Sequence, residues 1–529
     1  MHFPWLPASR LTSLLALLHN ASFVEICVFV ISIIAFLSLI RRPSQFQRLG
    51  KPWLLSILAG KYAMTFSMTQ TQVIKTTGKP FVMKWWATDH VFLPPRYLSD
   101  LKRAESASLS FSKTIHDVFL LFAAVGHDHI PAHDLMVEIV GKGINTRLPR
   151  LIPVLNEECD LAFTREIGAP GSWTSFSIAT LVSKIMLRTT SRVLVGKELC
   201  REDRYLDAAQ KFSDSIFMNG LVVSMLPLRP LRFVMSYVIS SIHRRKLKKA
   251  MNEIIPVVQA RCNDLATRRE GGISSHDTEP LDAIDWTISF MMSNNIESDP
   301  GFVALALLLT IWAGSPPSAA LVTQMIFQVL SEPQYLAPLR SEAETAFHAH
   351  GFTDSALNDM PLMDSFISEV NRLHPTGAVT CARTVMDPRG FRFHDGLYLP
   401  AGAKVAVPTL AIQTDPQNFQ DPLSFRGFRF NGADQVNAGG NPAHAADGHH
   451  RPSAATLSET NLAFGYGKHA CVGRFYAVRK AKLIFGKLIV EYDMKWEGVK
   501  VRPPNLSVNA QHAPNQTQEI FIRKRNTHD

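Results

Sequence analysis

Read for the spacing of apolar and polar positions, the chain opens with an unbroken apolar run, continues through a long helical stretch and a strand-rich interval, and closes on a helix. The opening run, Phe23 to Ile40, is interrupted only by Glu25, Ser32 and Ser38 and ends directly on Arg41-Arg42. At 1.5 Å per residue it covers roughly 27 Å, about the thickness of a thin bilayer core. The basic pair on its C-terminal side, with no clear small-residue cleavage site, favours a retained anchor over a cleaved signal peptide. Basic residues stay cytosolic, so 1–22 are expected in the lumen and everything after Arg41 in the cytosol. Residues 41–53, with Pro43, Gly50 and Pro52, then read as a linker to a body over 54–529.

Within that body a helical pattern from Leu54 to Thr77 leads through a Gly-Lys-Pro turn to β-like runs at Phe81–Trp86 and His90–Leu93, and Pro94-Pro95 starts a helix near Arg96 to Arg103. Ala104 to Arg268 is helical, with breaks at Pro131, Gly168 to Gly171, Gly196 and Leu226 to Pro230. The apolar part of it, Phe212 to Ser241, suits a lid over a greasy cavity, a surface dipping into a bilayer, or an ordinary buried helix pair. After a polar loop from Glu270 to Glu279, a long apolar helix is predicted over 300–331, interrupted at Pro316-Pro317. Helices over 332–350 and 360–373 and short strands between Ala378 and Val407 follow. Residues 431–459, rich in Gly, Ala, Asn and His, read as a flexible insertion in which His444, His449 and His450 are solvated rather than metal ligands.

Composition narrows the class. With 529 residues and 46% hydrophobic content, the chain buries a large core. Its net charge of +10 permits an anionic partner, but no run of Lys and Arg interleaved with aromatics points to nucleic acid. The densest basic cluster, His243 to Lys249, reads as a solvated helix face. Six cysteines, at 27, 159, 200, 262, 381 and 471, form no C-x2-C pair, which argues against zinc, an iron–sulphur cluster or a disulfide scaffold and fits a reducing compartment.

One cysteine stands apart. In Phe464-Gly465-Tyr466-Gly467-Lys468-His469-Ala470-Cys471-Val472-Gly473 it lies between glycines and just before a helical run, Arg474 to Tyr492. Glycines let a backbone approach a flat ligand, and a helix N-terminus favours a thiolate, so this is a suitable environment for a metal-bound sulphur. Upstream, Glu369 and Arg372 share a helix face at i, i+3, and Phe425-Arg426-Gly427-Phe428-Arg429-Phe430 lies between that helix and the cysteine.

In this order the Phe-x2-Gly-x3-Cys-x-Gly loop, the Glu-x2-Arg helix and the Arg-bearing aromatic segment resemble the cytochrome P-450 family, over essentially the whole chain after the anchor. The resemblance implies a mainly α fold, a triangular helical body with small β-sheets, behind one transmembrane helix. It implies haem b as cofactor, with Cys471 the axial thiolate whose electron donation favours O–O cleavage. Phe464 would pack beside the sulphur, Gly467 and Gly473 would be the loop glycines, and His469 and Arg383 would meet the haem propionates. Glu369, Arg372 and Arg429 would form a buried structural ion cluster. Gly427 stands where many relatives carry proline.

The chain departs from the family at oxygen activation. Ala313-Gly314-Ser315-Pro316-Pro317-Ser318 aligns with Ala-Gly-x-Asp/Glu-Thr-Thr, so the acid is Pro316 and the threonine is Pro317. Proline offers no group for a proton relay, which leaves Ser315 or Ser318 to hold a relay water. The expected activity is a monooxygenase at the endoplasmic reticulum membrane. It would use a NADPH-dependent flavoprotein reductase docked on a basic patch of Lys468, Arg474, Arg479, Lys480 and Lys482, and oxidise a terpenoid, alkaloid or polyketide as in filamentous-fungal specialised metabolism. Val379, Thr380, Trp312 and the His127–Ile130 region are expected to line the substrate cavity. The alternatives are a reductase-independent isomerase or dehydratase, and a haem-binding membrane protein without turnover.

Overall fold

The computed structural model describes residues 47–48, 78–86, 88–126, 129–224, 229–270, 282–431, 453–498 and 501–526. The expected anchor at 23–40, the helix at 54–77, the polar loop at 271–279 and most of the insertion lie outside them, as do His127 and Asp128.

Helices dominate. Those used below are α1 (Phe111–Phe119), α2 (His129–Glu138), α3 (Ile178–Leu194), α4 (Asp203–Ser224), α5 (Arg229–Glu270), α6 (Pro300–Ser331), α7 (Leu336–His350), α8 (Pro361–Leu373), α9 (Thr409–Gln413) and α10 (Arg474–Glu491). Nine strands matter here: β1 (Gln47–Arg48), β2 (Phe81–Trp85), β3 (Thr88–Phe92), β4 (Leu109–Ser110), β5 (Thr174–Ser177), β6 (Thr380–Val385), β7 (Lys404–Val407), β8 (Tyr492–Trp496) and β9 (Glu519–Lys524). The larger sheet has the order β1-β2-β3-β7-β6-β4 and the smaller one β8-β9-β5. Two linker residues therefore belong to the body, since Gln47 and Arg48 pair in parallel with Phe81 and Val82.

The core is built around α6. Asp299 caps it by accepting from the Phe302 amide at 2.7 Å, and Pro300 opens it with a pre-set φ. It is apolar on all sides, and such a helix is stable only when surrounded. Among the described residues it alone is long and apolar enough to cross a membrane, but 67% of its apolar window is buried against the rest of the chain, which marks it as a core helix.

The expected interruption at Pro316-Pro317 does not occur: α6 is helical without a break from Pro300 to Ser331. The two prolines remove the donors for the carbonyls of Trp312 and Ala313, at about 3 kcal/mol each. Each buried Leu, Ile or Val contributes about 1.5–3 kcal/mol, and the helix buries such residues on both sides of the prolines, so tertiary packing wins.

Other local expectations change at close range. The end of the insertion is packed: Ala454 and Ala455 are buried, and the Ala454 amide donates to Asp364 at 2.8 Å. His243 leaves the otherwise solvated basic face of α5 and turns inward, bonding Ser215 of α4 at 2.6 Å. The basic patch on α10 largely dissolves. Lys482 is buried against Asp364 at 2.5 Å, Arg479 pairs with Asp354 at 2.7 Å, and Lys480 is buried with its ammonium donating to Thr190 at 2.6 Å.

Lys480 has no carboxylate partner among the described residues, and burial pulls its pKa from the usual 10.5 to about 7. Between those values the unfolded chain binds the extra proton, so this group makes stability rise with pH from about 7 to 10. Lys480→Met is expected to remove that rise from thermal unfolding midpoints while leaving the protein at least as stable at pH 7. Matching pH profiles in the two proteins would contradict it.

Candidate active site

A carboxylate buried between two guanidinium groups anchors the site. Glu369 and Arg372 of α8 form a two-pronged pair at 2.7 and 2.8 Å, and Arg429 Nε reaches both Glu369 oxygens at 3.1 Å. All three side chains are buried. The remaining donors of Arg372 meet the carbonyls of Gln413, Pro422 and Ser424, and Arg429 adds those of Gln420 and Ser424. The pair thus ties α8 to the irregular segment 413–429. Gly427 lies inside that segment because a Cβ there would come within 2.8 Å of the Tyr335 ring and 3.0 Å of Phe366.

The cysteine loop folds back on itself next to this scaffold. Cys471 N–H donates to the Phe464 carbonyl at 2.8 Å, and Gly465 N–H to Leu462 at 2.8 Å. Gly465 and Gly467 both take φ +74°, and a Cβ on Gly467 would lie 2.4 Å from the Lys102 backbone, so the loop presses against the short helix Leu98–Arg103. Behind the loop, Asn145 Nδ2 holds the Val472 carbonyl at 2.9 Å from the end of a π-helical turn over Ile139–Ile144. Gly473 caps α10, and the amides of Gly473 and Arg474 point at the Cys471 sulphur.

Among the described cysteines Cys471 is the exposed one; Cys159, Cys200 and Cys381 are buried and Cys262 is half-buried. Its sulphur is accessible yet surrounded by protein, so desolvation still pushes the thiol up while the two amides and the Arg474 charge pull it down.

Two side chains with unpaired buried nitrogens lie within electrostatic reach of each other. Arg383 is buried over the Phe111 ring, its Nη1 donates to the carbonyl of Ala382 at 2.6 Å, and its Nε and Nη2 have no hydrogen-bond partner among the described residues. Burial lowers its pKa to about 10; burial and then the Arg383 charge depress His469, whose Nε2 is also buried without a partner among the described residues. Arg383 reaches inward because β6 carries a bulge between Thr380 and Arg383, with Cys381 at φ +51°. A buried guanidinium with free donors calls for an anion, and a carboxylate-bearing flat ligand beside Cys471 fits it.

The family model for cytochrome P450 matches residues 119–518. The chain belongs to the cytochrome P450 family. Its relatives include the cytochrome P450 monooxygenase sirB of Leptosphaeria maculans, 35% identical and covering 90% of both chains. Another is the monooxygenase paxP of Penicillium paxilli, 28% identical over 90% of this chain and 89% of the relative. An ent-kaurene oxidase of Gibberella intermedia is 26% identical over 85% and 81%. As a P450 this chain is an oxidoreductase, and the unpartnered Arg383 and His469 beside an accessible cysteine fit the haem that the family uses.

The P450 oxygen-activation stretch is where the geometry corrects the sequence reading. Ala313, Pro316 and Pro317 lie on one face of α6 and are exposed although the helix is otherwise buried, and a Cβ on Gly314 would meet nothing within 4 Å. Ser315 and Ser318 are buried on the opposite face, and Ser318 Oγ is committed to the Gly314 carbonyl at 2.7 Å. They are not placed to serve as a relay. The cause is helical geometry, since at 100° per residue positions 315 and 318 point away from 313, 316 and 317.

Beside this open face stands an aromatic wall. Half-buried Trp312 meets Phe119 of α1 edge-on at 5.4 Å, Phe119 meets Trp86 at 5.2 Å, and Trp86 meets Phe217 of α4 at 5.8 Å. Of the expected cavity liners, Trp312 and Thr380 are half-buried and Val379 is buried in the core beside Trp86. Phe119 and Phe217 escape the sequence reading, because ring-to-ring contacts between residues so far apart along the chain leave no local signal. Gln413 escapes it as well.

Gly427→Ala is expected to destabilise the protein by about 1–3 kcal/mol through overpacking, and Tyr335→Ala in the same chain to relieve part of that cost. Strict additivity of the two losses in denaturant titrations would contradict the contact.

Proposed function

We propose that this P450 is a haem-thiolate monooxygenase of fungal specialised metabolism that inserts oxygen into a neutral hydrophobic small molecule of terpenoid, alkaloid or polyketide type. The observation that carries the reading is the accessible Cys471, sulphur toward two backbone amides, beside the unsatisfied donors of Arg383 and His469. Cys471 would hold haem b through its thiolate, and Arg383 and His469 would meet the propionates. When bound, the haem supplies the redox chemistry that splits O2 with two electrons from a NADPH-dependent flavoprotein reductase. Trp312, Phe119 and Phe217 receive the substrate and exclude water from it. Monooxygenase relatives such as sirB and paxP, together with an ent-kaurene oxidase, support the substrate class.

The proposal includes a single anchor over 23–40 in the endoplasmic reticulum membrane, a linker over 41–53 in which Gln47 and Arg48 pair with the sheet of the body, and a cytosolic catalytic body over 54–529. With Lys480 and Lys482 buried and Arg479 paired, fewer cations of the expected patch remain for the reductase, namely Arg474 on α10 and, in the cysteine loop, the exposed Lys468, which itself pairs with Glu105.

A second reading is favoured by one observation: the open face of α6 carries Ala313, Pro316 and Pro317 and no hydroxyl or carboxyl group. Protons on that side must come from water or the substrate. A reaction that starts from an already oxygenated substrate and needs no reductase fits that face equally well. Product formation that requires both NADPH and the reductase supports the monooxygenase. Steady turnover of a peroxide substrate without them supports the rearrangement.

Residue 317 lies on the open face, so a threonine there would place a hydroxyl where the serines do not reach. Pro317→Thr is expected to raise the ratio of product formed to NADPH consumed severalfold. An unchanged ratio would show that water already supplies the protons.

A further inference from the structure

The ion cluster and the cysteine loop are far apart in sequence, and one side chain joins them. Gln413, the last residue of α9, is fully buried. Its Nε2 donates to the carbonyls of Asn371 at 3.2 Å and Arg372 at 2.9 Å, at the end of α8. Its own carbonyl accepts from Arg372 Nη1 at 2.9 Å. The side-chain oxygen, Oε1, accepts from the Leu462 amide at 2.9 Å.

Leu462 is buried, and its carbonyl takes the Gly465 amide in the turn that presents Phe464, whose carbonyl in turn holds the Cys471 amide. Every link is a hydrogen bond inside the protein, where an unmade bond costs more than in water. Near its entrance the loop has a weaker tether, the Cys381 sulphur on the Tyr466 amide. Its glycines at 465 and 467 give the backbone freedom that something else must remove.

We propose that Gln413 is a positioning residue for the cysteine ligand. It carries the rigidity of the Glu369–Arg372–Arg429 cluster across to Leu462 and so fixes where Cys471 presents its sulphur. The amide is suited to this because it donates and accepts at once: Nε2 takes the helix-end carbonyls while Oε1 takes the loop amide. Leucine, of similar volume, does neither. Histidine has one ring nitrogen to donate and one to accept, and can restore both directions of the link.

The inference rests on the reading of Cys471 as haem ligand, and the test separates the two. The haem-loaded full-length protein is prepared as wild type, Gln413→Leu, Gln413→His, Asn418→Ala and Cys471→Ala. Asn418 Nδ2 holds the Ile412 carbonyl at 3.0 Å in the same segment without touching the loop, so its alanine variant reports general loosening. Two readouts are followed: the lifetime of the thiolate-type Soret band of the reduced, CO-bound protein, and amide hydrogen exchange across 462–473.

Gln413→Leu is expected to shorten the lifetime and speed exchange in that segment roughly tenfold, about what loss of the one bond that reaches the loop, to the Leu462 amide, implies. Gln413→His should recover most of both, and Asn418→Ala should leave both near wild type at an equal or larger loss of melting temperature. Wild-type lifetime and exchange in Gln413→Leu would overturn the proposal, as would equal losses in Asn418→Ala. Should the leucine variant not fold, Gln413→His decides alone: a folded histidine variant with a tenfold loss in both readouts overturns the donor–acceptor link, and retention supports it. Absence of a thiolate-type band in the wild type, or its survival in Cys471→Ala, would instead overturn the ligand assignment.

Discussion

The structure depends most on one buried carboxylate. Glu369 accepts from two guanidinium groups and from the Arg426 amide at 2.9 Å, and Arg372 places all five of its N–H donors on acceptors. Taking such charges out of water costs several kcal/mol per ion, and removing one partner of a buried pair typically costs about 3–5 kcal/mol because the other is left uncompensated. The cluster is therefore justified less by net stability than by what it fixes. It holds a helix end and an irregular, sheet-free segment in one geometry, and that segment runs on toward the cysteine loop.

The two sides of the site are built by opposite rules. On the cysteine side backbone bonds hold the loop, Cys471 to Phe464, Gly465 to Leu462 and Val472 to Asn145, and Gly465 and Gly467 sit where φ is positive. On the other side, α6 presents an alanine and two prolines to an internal opening, and an aromatic wall rather than polar groups stands beside it. The α6 face thus offers no side-chain group for proton transfer, while the cysteine loop is held by the protein's own hydrogen bonds.

Much of this is legible in the sequence, and the boundary between what is and is not has physical causes. The helix over 300–331, the paired strands near 81–93, and the residues Cys471, Glu369, Arg372 and Arg429 follow from periodicity and from motifs whose spacing is local. Propensity alone predicts a break at the two prolines; packing of α6 before and after them overrides it. Nearness in sequence singles out Ser315 and Ser318, whereas a helix sorts neighbours by angle. A count of cations along α10 says nothing of which face each occupies, and Lys480 and Lys482 turn inward. Gln413 and the Trp312–Phe119 contact depend on segments that meet only after folding.

The account stands on Cys471 ligating haem iron through its sulphur. The most direct measurement is the absorption spectrum of the purified, haem-loaded protein, reduced and exposed to CO, beside Cys471→Ala prepared the same way. The account predicts a thiolate-type Soret band in the first and its loss in the second with haem retained. The same band in both, or in neither, would contradict it.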